Sequence, residues 1–476
     1  MDTEKVLNFF REITRIPRES GHEEQIVAYL QQFAASRGLK CKTDRLGNVV
    51  ISKPASKGYE KHPGVVLQGH TDMVCEKKSG SGFDFSKDPI NYVIEDGWMV
   101  AHDTTLGADN GIGVATAMAI LDDDSIAHPS LECLFTVSEE TGLDGARGLK
   151  KGAITGKTLI NLDDEDEGYF CIGCAGGMDT VGTFSYRERR LPARSVVYEF
   201  IISGGLGGHS GDDIDKGRFN GVQQFARFLD EAWQHGIDIC TIEAGGKRNA
   251  IARSGGGIVA IPPRQAQKVV TLFEDFVARL KAEYAVTDPG LYSEARAVTW
   301  TGRAIDRGTA RRLIQALISI PHGVIAMSPD IPGLIETSTN LASVTMAPDR
   351  KIVVGTMQRS SVNSQRLFLA RRVASVMELA GARVRHSDGY PGWKPNMESH
   401  VKDVCVESYK RLFGREPVVR AIHAGLECGL FTEKFPDMDM IAFGPTLRGV
   451  HAPGEKLDLA SLDRFYAVLI DVLKNL

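Results

Sequence analysis

What this chain lacks narrows it first. No stretch approaches the roughly 20 apolar residues of a membrane span, so no membrane partner is expected. The net charge is only -5 over 476 residues, without the basic excess that tracks a phosphate backbone, which excludes nucleic acid as the expected partner. The opening MDTEKVLNFFREITRIP carries acids and an amphipathic pattern where a secretory leader would carry a basic segment and then a long apolar one. Eight cysteines, at 41, 75, 133, 171, 174, 240, 405 and 428, are scattered through a long chain and do not frame a small stapled module. A reduced, cytoplasmic protein follows. Cys171-Ile-Gly-Cys174 has redox or half-zinc spacing but no second pair, so these thiols are expected in or beside a strand as packing groups.

With 42% hydrophobic and 25% charged residues the chain has an ordinary globular balance, and its length suits more than one core. Apolar residues at helical spacing predict helices over 3–15 and 23–37, and short apolar runs predict strands at 48–52 and 64–69. A helix over 110–121 and strands at 131–137 and 158–162 follow. From about 186 the composition shifts. Strands and helices then recur as β-α-β-β-α twice, to about 387, which predicts an inserted α+β domain with helices on one face of an antiparallel sheet. After 392 the α/β character resumes, with helices over 398–413 and at the C-terminus. The expectation is an α/β catalytic domain, 1–185 and 392–476, with a mixed sheet flanked by helices and interrupted by an insert over 186–391.

Three predicted strand ends carry acids or histidine. In Gly69-His70-Thr71-Asp72-Met73-Val74, His70 and Asp72 are two residues apart and share a strand face. Asp109 sits at the mouth of a helix among Gly107, Gly111 and Gly113. Ser138-Glu139-Glu140 ends another strand and Asp163 a third, whereas 164–167 reads as a solvated acidic loop. Ligands collect at the carboxyl ends of strands in α/β sheets. Several carboxylates with a few imidazoles suit two adjacent divalent ions, leaving one acid to take a proton from water. His451, in Gly-Val-His-Ala-Pro-Gly-Glu, supplies a further imidazole. His102 and His423 lie where either would line a pocket, whereas His62, His128, His235, His322 and His386 are expected on surfaces or loops. The glycines of 107–113 also match a dehydrogenase cofactor loop, but no clear apolar strand precedes them, and Tyr390-x-x-x-Lys394 contains Pro391 and Gly392 and cannot be helical.

The motifs GHTDMV, TLGADNGIG, FTVSEETG, LINLD, SGGLGGHSGDDI, KRNAIA and GVHAPGE span nearly the whole chain. Together they resemble the co-catalytic di-zinc peptidase family that includes peptidase T, the carnosinases and aminoacylase, and within it the bacterial aminoacyl-histidine dipeptidase type. The resemblance implies two zinc ions per subunit, with manganese or cobalt as substitutes. Asp109 would bridge them, with His70 and Asp163 on one and Glu140 and His451 on the other. Glu139 becomes the general base, and Asp72 the group that orients His70. His209 on the insert would donate to the tetrahedral oxygen, Arg359 would clasp a substrate carboxylate, and Asn249 and the Gly425 backbone would add substrate contacts. It also implies a cis Asp109-Asn110 peptide, a lid formed by the insert, a homodimer, and hydrolysis of unblocked dipeptides, Xaa-His included. An N-acyl amino acid deacylase or carboxypeptidase on the same metals is the enzymatic alternative. A metal-binding interaction protein without turnover is the other, and the presence of Glu139 and His209 argues against it.

Overall fold

A computed structural model describes residues 3–476; residues 1 and 2 of the expected catalytic segment lie outside them. The described chain divides into two compact units, one running to Gly173 and resuming over Trp393–Ala421 and Leu426–Leu476, the other comprising Cys174–Gly392 and Ile422–Gly425.

The first unit is built on an eight-stranded sheet whose order is Lys40–Thr43, Val49–Lys53, Leu131–Thr136, Val65–His70, Thr158–Asn161, Asp439–Ala442, Tyr169–Cys174 and Val418–Ile422. The four strands from Leu131–Thr136 to Asp439–Ala442 are parallel, so their carboxyl ends share one rim. Their short apolar runs are buried on both faces, as parallel strands require. The Ala108–Asp122 helix, almost wholly buried, packs on the Val65–His70 strand and on the Glu4–Ile13 helix. Cys171 and Cys174 lie buried in the Tyr169–Cys174 strand, and none of the eight cysteines is in a disulfide.

The second unit holds a ten-stranded antiparallel sheet whose main path is Tyr292–Ala297, Val196–Ser203, Gly255–Ile261, Glu243–Gly245, Ile335–Ala347, Lys351–Ser360, Gly176–Ser185 and Arg383–His386. Alternate residues such as Phe200, Ile202, Val259, Ile261, Val344 and Val354 face one apolar core, shared with Phe225, Phe228, Phe273, Leu313 and Val373 of the helices. Side-chain caps start two of those helices: Asn220 accepts from the Gln223 N–H and Asp306 from the Thr309 N–H. The unit begins earlier than the sequence pattern indicates. Gly176–Ser185 pairs along its length with Lys351–Ser360, placing 174–185 in the second unit instead of the first. Its inward residues include Thr180 and Gly182 beside Met178 and Phe184, so the alternation is real but weakly apolar. Gly182 is small because Met377 of the Asn363–Leu379 helix lies where a side chain would go.

The Gly221–Trp233 helix meets the sheet at backbone contact: a Cβ at Gly221 would lie 2.2 Å from the Ser254 carbonyl carbon. Gly221→Val is expected to destabilise by about 1–3 kcal/mol, the usual range for overpacking, lowering the urea midpoint followed by far-UV circular dichroism. An unchanged midpoint would refute the close approach.

Candidate functional site

In the first unit the strand ends converge on Asp109. His70 Nε2 lies 3.1 Å from Asp109 Oδ1 and 3.7 Å from Asp163 Oδ1. His451 Nε2 lies 3.1 Å from Asp109 Oδ2 and 2.9 Å from Glu140 Oε1. Each oxygen of Asp109 thus faces a different imidazole, and each imidazole has a second carboxylate of its own. His70, Asp109 and Glu140 offer ligand atoms within 4.8 Å of one another, close enough to hold a metal ion. One nitrogen with carboxylate oxygens on either side of Asp109 is a donor set suited to zinc and similar ions.

The local backbone explains how the chain delivers these groups. Asp109 and Asn110 interrupt helical geometry at the start of Ala108–Asp122, and the peptide between them is cis. The buried Glu455 carboxylate accepts from four successive N–H groups: Leu106 at 2.8 Å, Gly107 at 2.9 Å, Ala108 at 2.8 Å and Asp109 at 3.2 Å. Arg18, entirely buried, donates to the Thr71 and Asp72 carbonyls at 3.0 Å each and to Gly107 O at 2.5 Å, tying the His70 turn to the Asp109 loop. Asn110 donates to Leu162 O at 2.7 Å, and glycine at 69 and 113 leaves room for its side chain. Ser138 takes a left-handed φ of 52° and His451 one of 61°, conformations that are rare for such residues and concentrate at functional sites. The turn at Ser138 lets the adjacent Glu139 and Glu140 serve one site. It is held by Glu23, whose carboxylate accepts from both the N–H and the hydroxyl of Ser138 at 2.8 Å.

Asp72 does more than its spacing from His70 suggests. Its Oδ1 lies 3.3 Å from His70 Nδ1, leaving Nε2 for the site. It also accepts from Ser20 Oγ at 2.7 Å and from the Glu139 and Glu140 N–H groups at 3.0 and 3.2 Å. Although burial opposes its ionisation, His70, Ser20 and the Glu139 N–H hold its carboxyl at about 2.

Burial and mutual repulsion set the ionisation of the cluster. Burial, only partly offset by His70, raises the Glu139 carboxyl well above its ordinary value, and Glu427, Glu140 and Asp109 push it further. Burial raises Asp163 in the same way, with Asp109 and Glu139 adding repulsion. Contacts with Asp109 and Glu140 lift His451 to about 11. The acids after Asp163 are not all solvated: Glu165 is exposed, but Asp164 is buried and 2.8 Å from Arg420, and Glu167 accepts from Arg464 at 2.8 Å. Their positive partners lie some 250 to 300 residues away in sequence and so escape a local reading. His128 is likewise buried, with Nδ1 2.7 Å from Pro129 O, while His102 is exposed and paired with Glu95 at 3.1 Å.

A second cluster lies in the other unit. Arg359, 3% exposed, donates from Nε to Ser210 Oγ at 3.2 Å, from Nη1 to Tyr390 Oη at 2.9 Å and from Nη2 to His209 Nε2 at 3.2 Å. Guanidinium groups only donate, so His209 Nε2 is the acceptor and its Nδ1, 3.0 Å from Asp212 Oδ2, carries the hydrogen. No carboxylate forms an ion pair with Arg359 among the described residues, which leaves a buried positive charge suited to an anion. His423 Nε2 lies 2.7 Å from Ser338 Oγ, and Gly425 abuts the Tyr390 ring. The exposed Asn249 contributes its carbonyl, which accepts from the Ser210 N–H at 2.8 Å. Asp288 fixes the His209 loop by accepting from Leu206 N and Phe219 N, at 2.7 and 2.8 Å.

With this geometry in view, the model of the peptidase family M20/M25/M40 matches residues 66–475. The chain belongs to that family. It is 37% identical over 470 residues to the cytosol non-specific dipeptidase of Escherichia coli strain K12, covering 98% of this chain and 97% of that one. Among solved structures it resembles the aminoacylhistidine dipeptidase of Vibrio alginolyticus, with a TM-score of 0.91 at 38% identity over 99% of this chain and 96% of that chain. Aminopeptidase PepT from Bacillus cereus shares the fold, with a TM-score of 0.63 at 17% identity over 100% and 98% of the two chains. As a family member the chain is an enzyme, a peptide hydrolase.

Sequence reasoning missed Arg18, Glu23, Glu455, Tyr390 and Asp288, none of which belongs to the donor set. Glu455 had a signal, four residues after His451 in a motif already singled out; the others had none. The lowered Asp72 value gives a pH test in the metal-free protein. Because its folded pKa lies below the ordinary 3.8, its stabilisation, about 2 kcal/mol, is present above about pH 4 and is lost as pH falls toward 2. The gap in urea midpoint between the parent and Asp72→Asn should therefore close in acid. A gap that widens there contradicts the assignment.

Proposed function

We infer that this chain hydrolyses unblocked dipeptides, Xaa-His among them, to free amino acids in the cytoplasm, as a homodimer with two zinc ions per subunit that manganese or cobalt can replace. The observation that carries the reading is the division of Asp109, one oxygen toward His70 and Asp163 and the other toward His451 and Glu140. That set would hold two divalent ions, with His70 and Asp163 for one, Glu140 and His451 for the other, and Asp109 shared. A bound pair of divalent ions supplies Lewis acidity, acidifying water and polarising the scissile carbonyl.

The chain's own groups do the rest. Glu139, next to Glu140 in the chain and within electrostatic reach of His70 and Asp109, is the base that takes a proton from water and passes it to the leaving amine. Asp72 fixes both the His70 ring and the backbone of Glu139 and Glu140. In turnover the second unit acts as a lid. Arg359 takes the substrate's carboxylate, aided by Asn249 and the Gly425 backbone, and His209 donates to the tetrahedral oxygen. A carboxylate on Arg359 Nη2 competes for the hydrogen that His209 Nε2 accepts, releasing that nitrogen, which donates in the tautomer that carries its hydrogen there. Asp at position 163 favours a dipeptidase over a deacylase or carboxypeptidase, and the names of the Escherichia coli and Vibrio alginolyticus relatives point the same way.

The reading is tested with a dipeptide panel before and after chelation. Free dipeptides should be cleaved, chelation should abolish the activity and added zinc should restore it, while the N-acetyl dipeptide should be a poor substrate. Preference for the N-acetyl form would establish the deacylase alternative. Arg359→Ala should lower kcat/KM by about 30-fold or more, the loss expected when a buried charge pair forfeits one partner. Glu139→Gln should cut kcat by roughly 10²–10⁴-fold with metal content unchanged. Normal turnover by that variant would remove Glu139 from the mechanism.

A further inference from the structure

Beneath the strand ends that carry His70 and Asp163 lies a buried polar layer that neither the donor set nor the substrate cluster uses. Gln68 and Asn161 are cross-strand partners on adjacent parallel strands, each two residues before a donor, and Gln68 shares a strand face with His70. Gln68, Thr136 and Asn161 are wholly buried, and Glu427, in the first turn of the Glu427–Lys434 helix, is 1% exposed. The amide hydrogen bonds run one way, toward Glu427, while Thr136 Oγ1 accepts from Gln68 Nε2 at 3.2 Å and also lies 3.4 Å from the Gly69 carbonyl. The Asp163 N–H donates to Asn161 Oδ1 at 3.2 Å, Asn161 Nδ2 to Gln68 Oε1 at 2.6 Å, and Gln68 Nε2 to Glu427 Oε2 at 2.5 Å. Thr136 Oγ1 donates to the same Glu427 oxygen at 2.9 Å.

Burial lifts the Glu427 carboxyl to about 7, but its Oε2 takes two donors, Gln68 Nε2 and Thr136 Oγ1, and an oxygen that accepts from both fixes the sense of the chain. With the Gln68 amide reversed, an oxygen would meet the Glu427 carboxylate and an NH₂ the Asn161 NH₂; reversing Asn161 would orphan the Asp163 N–H. Burying a carboxylate costs several kcal/mol, and among the described residues Glu427 has no cationic partner within ion-pair distance and no hydrogen bond to its Oε1. An apolar residue would fill the space at lower cost, so its retention calls for a task beyond packing.

We propose that Glu427 is a positioning residue of the metal centre, orienting the Gln68–Asn161 relay that sets the Asp163 backbone and with it the His70–Asp163 side of the site. This rests on the metal reading of the donor set. Groups that orient metal ligands from behind typically change metal affinity or activity by about 10–100-fold when removed.

The test is zinc affinity of the full-length protein, measured by competition with a chromophoric chelator, together with thermal unfolding of the metal-free form. Glu427→Ala should weaken zinc binding at least tenfold. Glu427→Gln, whose carbonyl can accept from both Gln68 and Thr136, should stay within about threefold of the parent. A purely structural role would lower the metal-free melting temperature of Glu427→Ala and leave zinc affinity within twofold, and that result would overturn the proposal. Should Glu427→Ala not fold, Gln68→Met severs the same relay from the other side and carries the same expected loss, with unchanged affinity again overturning it. His70→Ala separates the two claims: if it too binds zinc like the parent, the metal reading itself has failed, whereas loss in His70→Ala alone refutes only the role of Glu427.

Discussion

The site depends on one constraint, that the carboxylate of Asp109 be presented with its two oxygens toward two different imidazoles. A carboxylate amid other acids would ordinarily swing away or take up a proton, and here both escapes are blocked. The backbone leading to it is fixed through four N–H groups accepted by Glu455, and the turn behind it through Arg18. Burial opposes the charge on Asp109, but the two imidazoles overcome it and hold the carboxyl well below its ordinary value. Glu455 and Arg18 are both deeply buried, and charges so placed persist where they are hydrogen-bonded and mutually compensated. The first unit thus spends its burial of charge on geometry at one loop.

The parallel strands explain why such a loop can collect partners from distant segments. His70, Glu140 and Asp163 leave three neighbouring parallel strands at one rim, and His451 arrives on a later turn. The antiparallel second unit does something different, burying a guanidinium on Ser210, Tyr390 and His209 with no acidic partner among the described residues. The division of labour between the proposed metal side and the proposed substrate side follows the division of sheet types.

Much of this was legible in the sequence because the relevant signals are local. Apolar runs with acids or histidine at their ends mark parallel strands and a rim, and the repeated β-α-β-β-α pattern marks the second sheet. Other features were not legible, for identifiable reasons. The Gly176–Ser185 strand faces its core with threonine and glycine, so apolar periodicity hides it. The acids at 164 and 167 read as solvated until their arginines, remote in sequence, are brought to them. Asp72 was legible as a support for His70 but not as the acceptor for two neighbouring N–H groups, because that requires the left-handed turn at Ser138. Arg18, Glu23 and Glu427 gave no signal, since a buried polar residue far from its partners looks like any other.

Metal stoichiometry at defined free zinc addresses the central claim most directly. The parent chain should bind two ions, and Asp109→Asn, which keeps the side-chain shape but removes the shared charge, should lose tight binding of both. A parent that saturates at one ion, or an Asp109→Asn variant that still holds two with undiminished affinity, would contradict the bridging role from which the rest of the account is built.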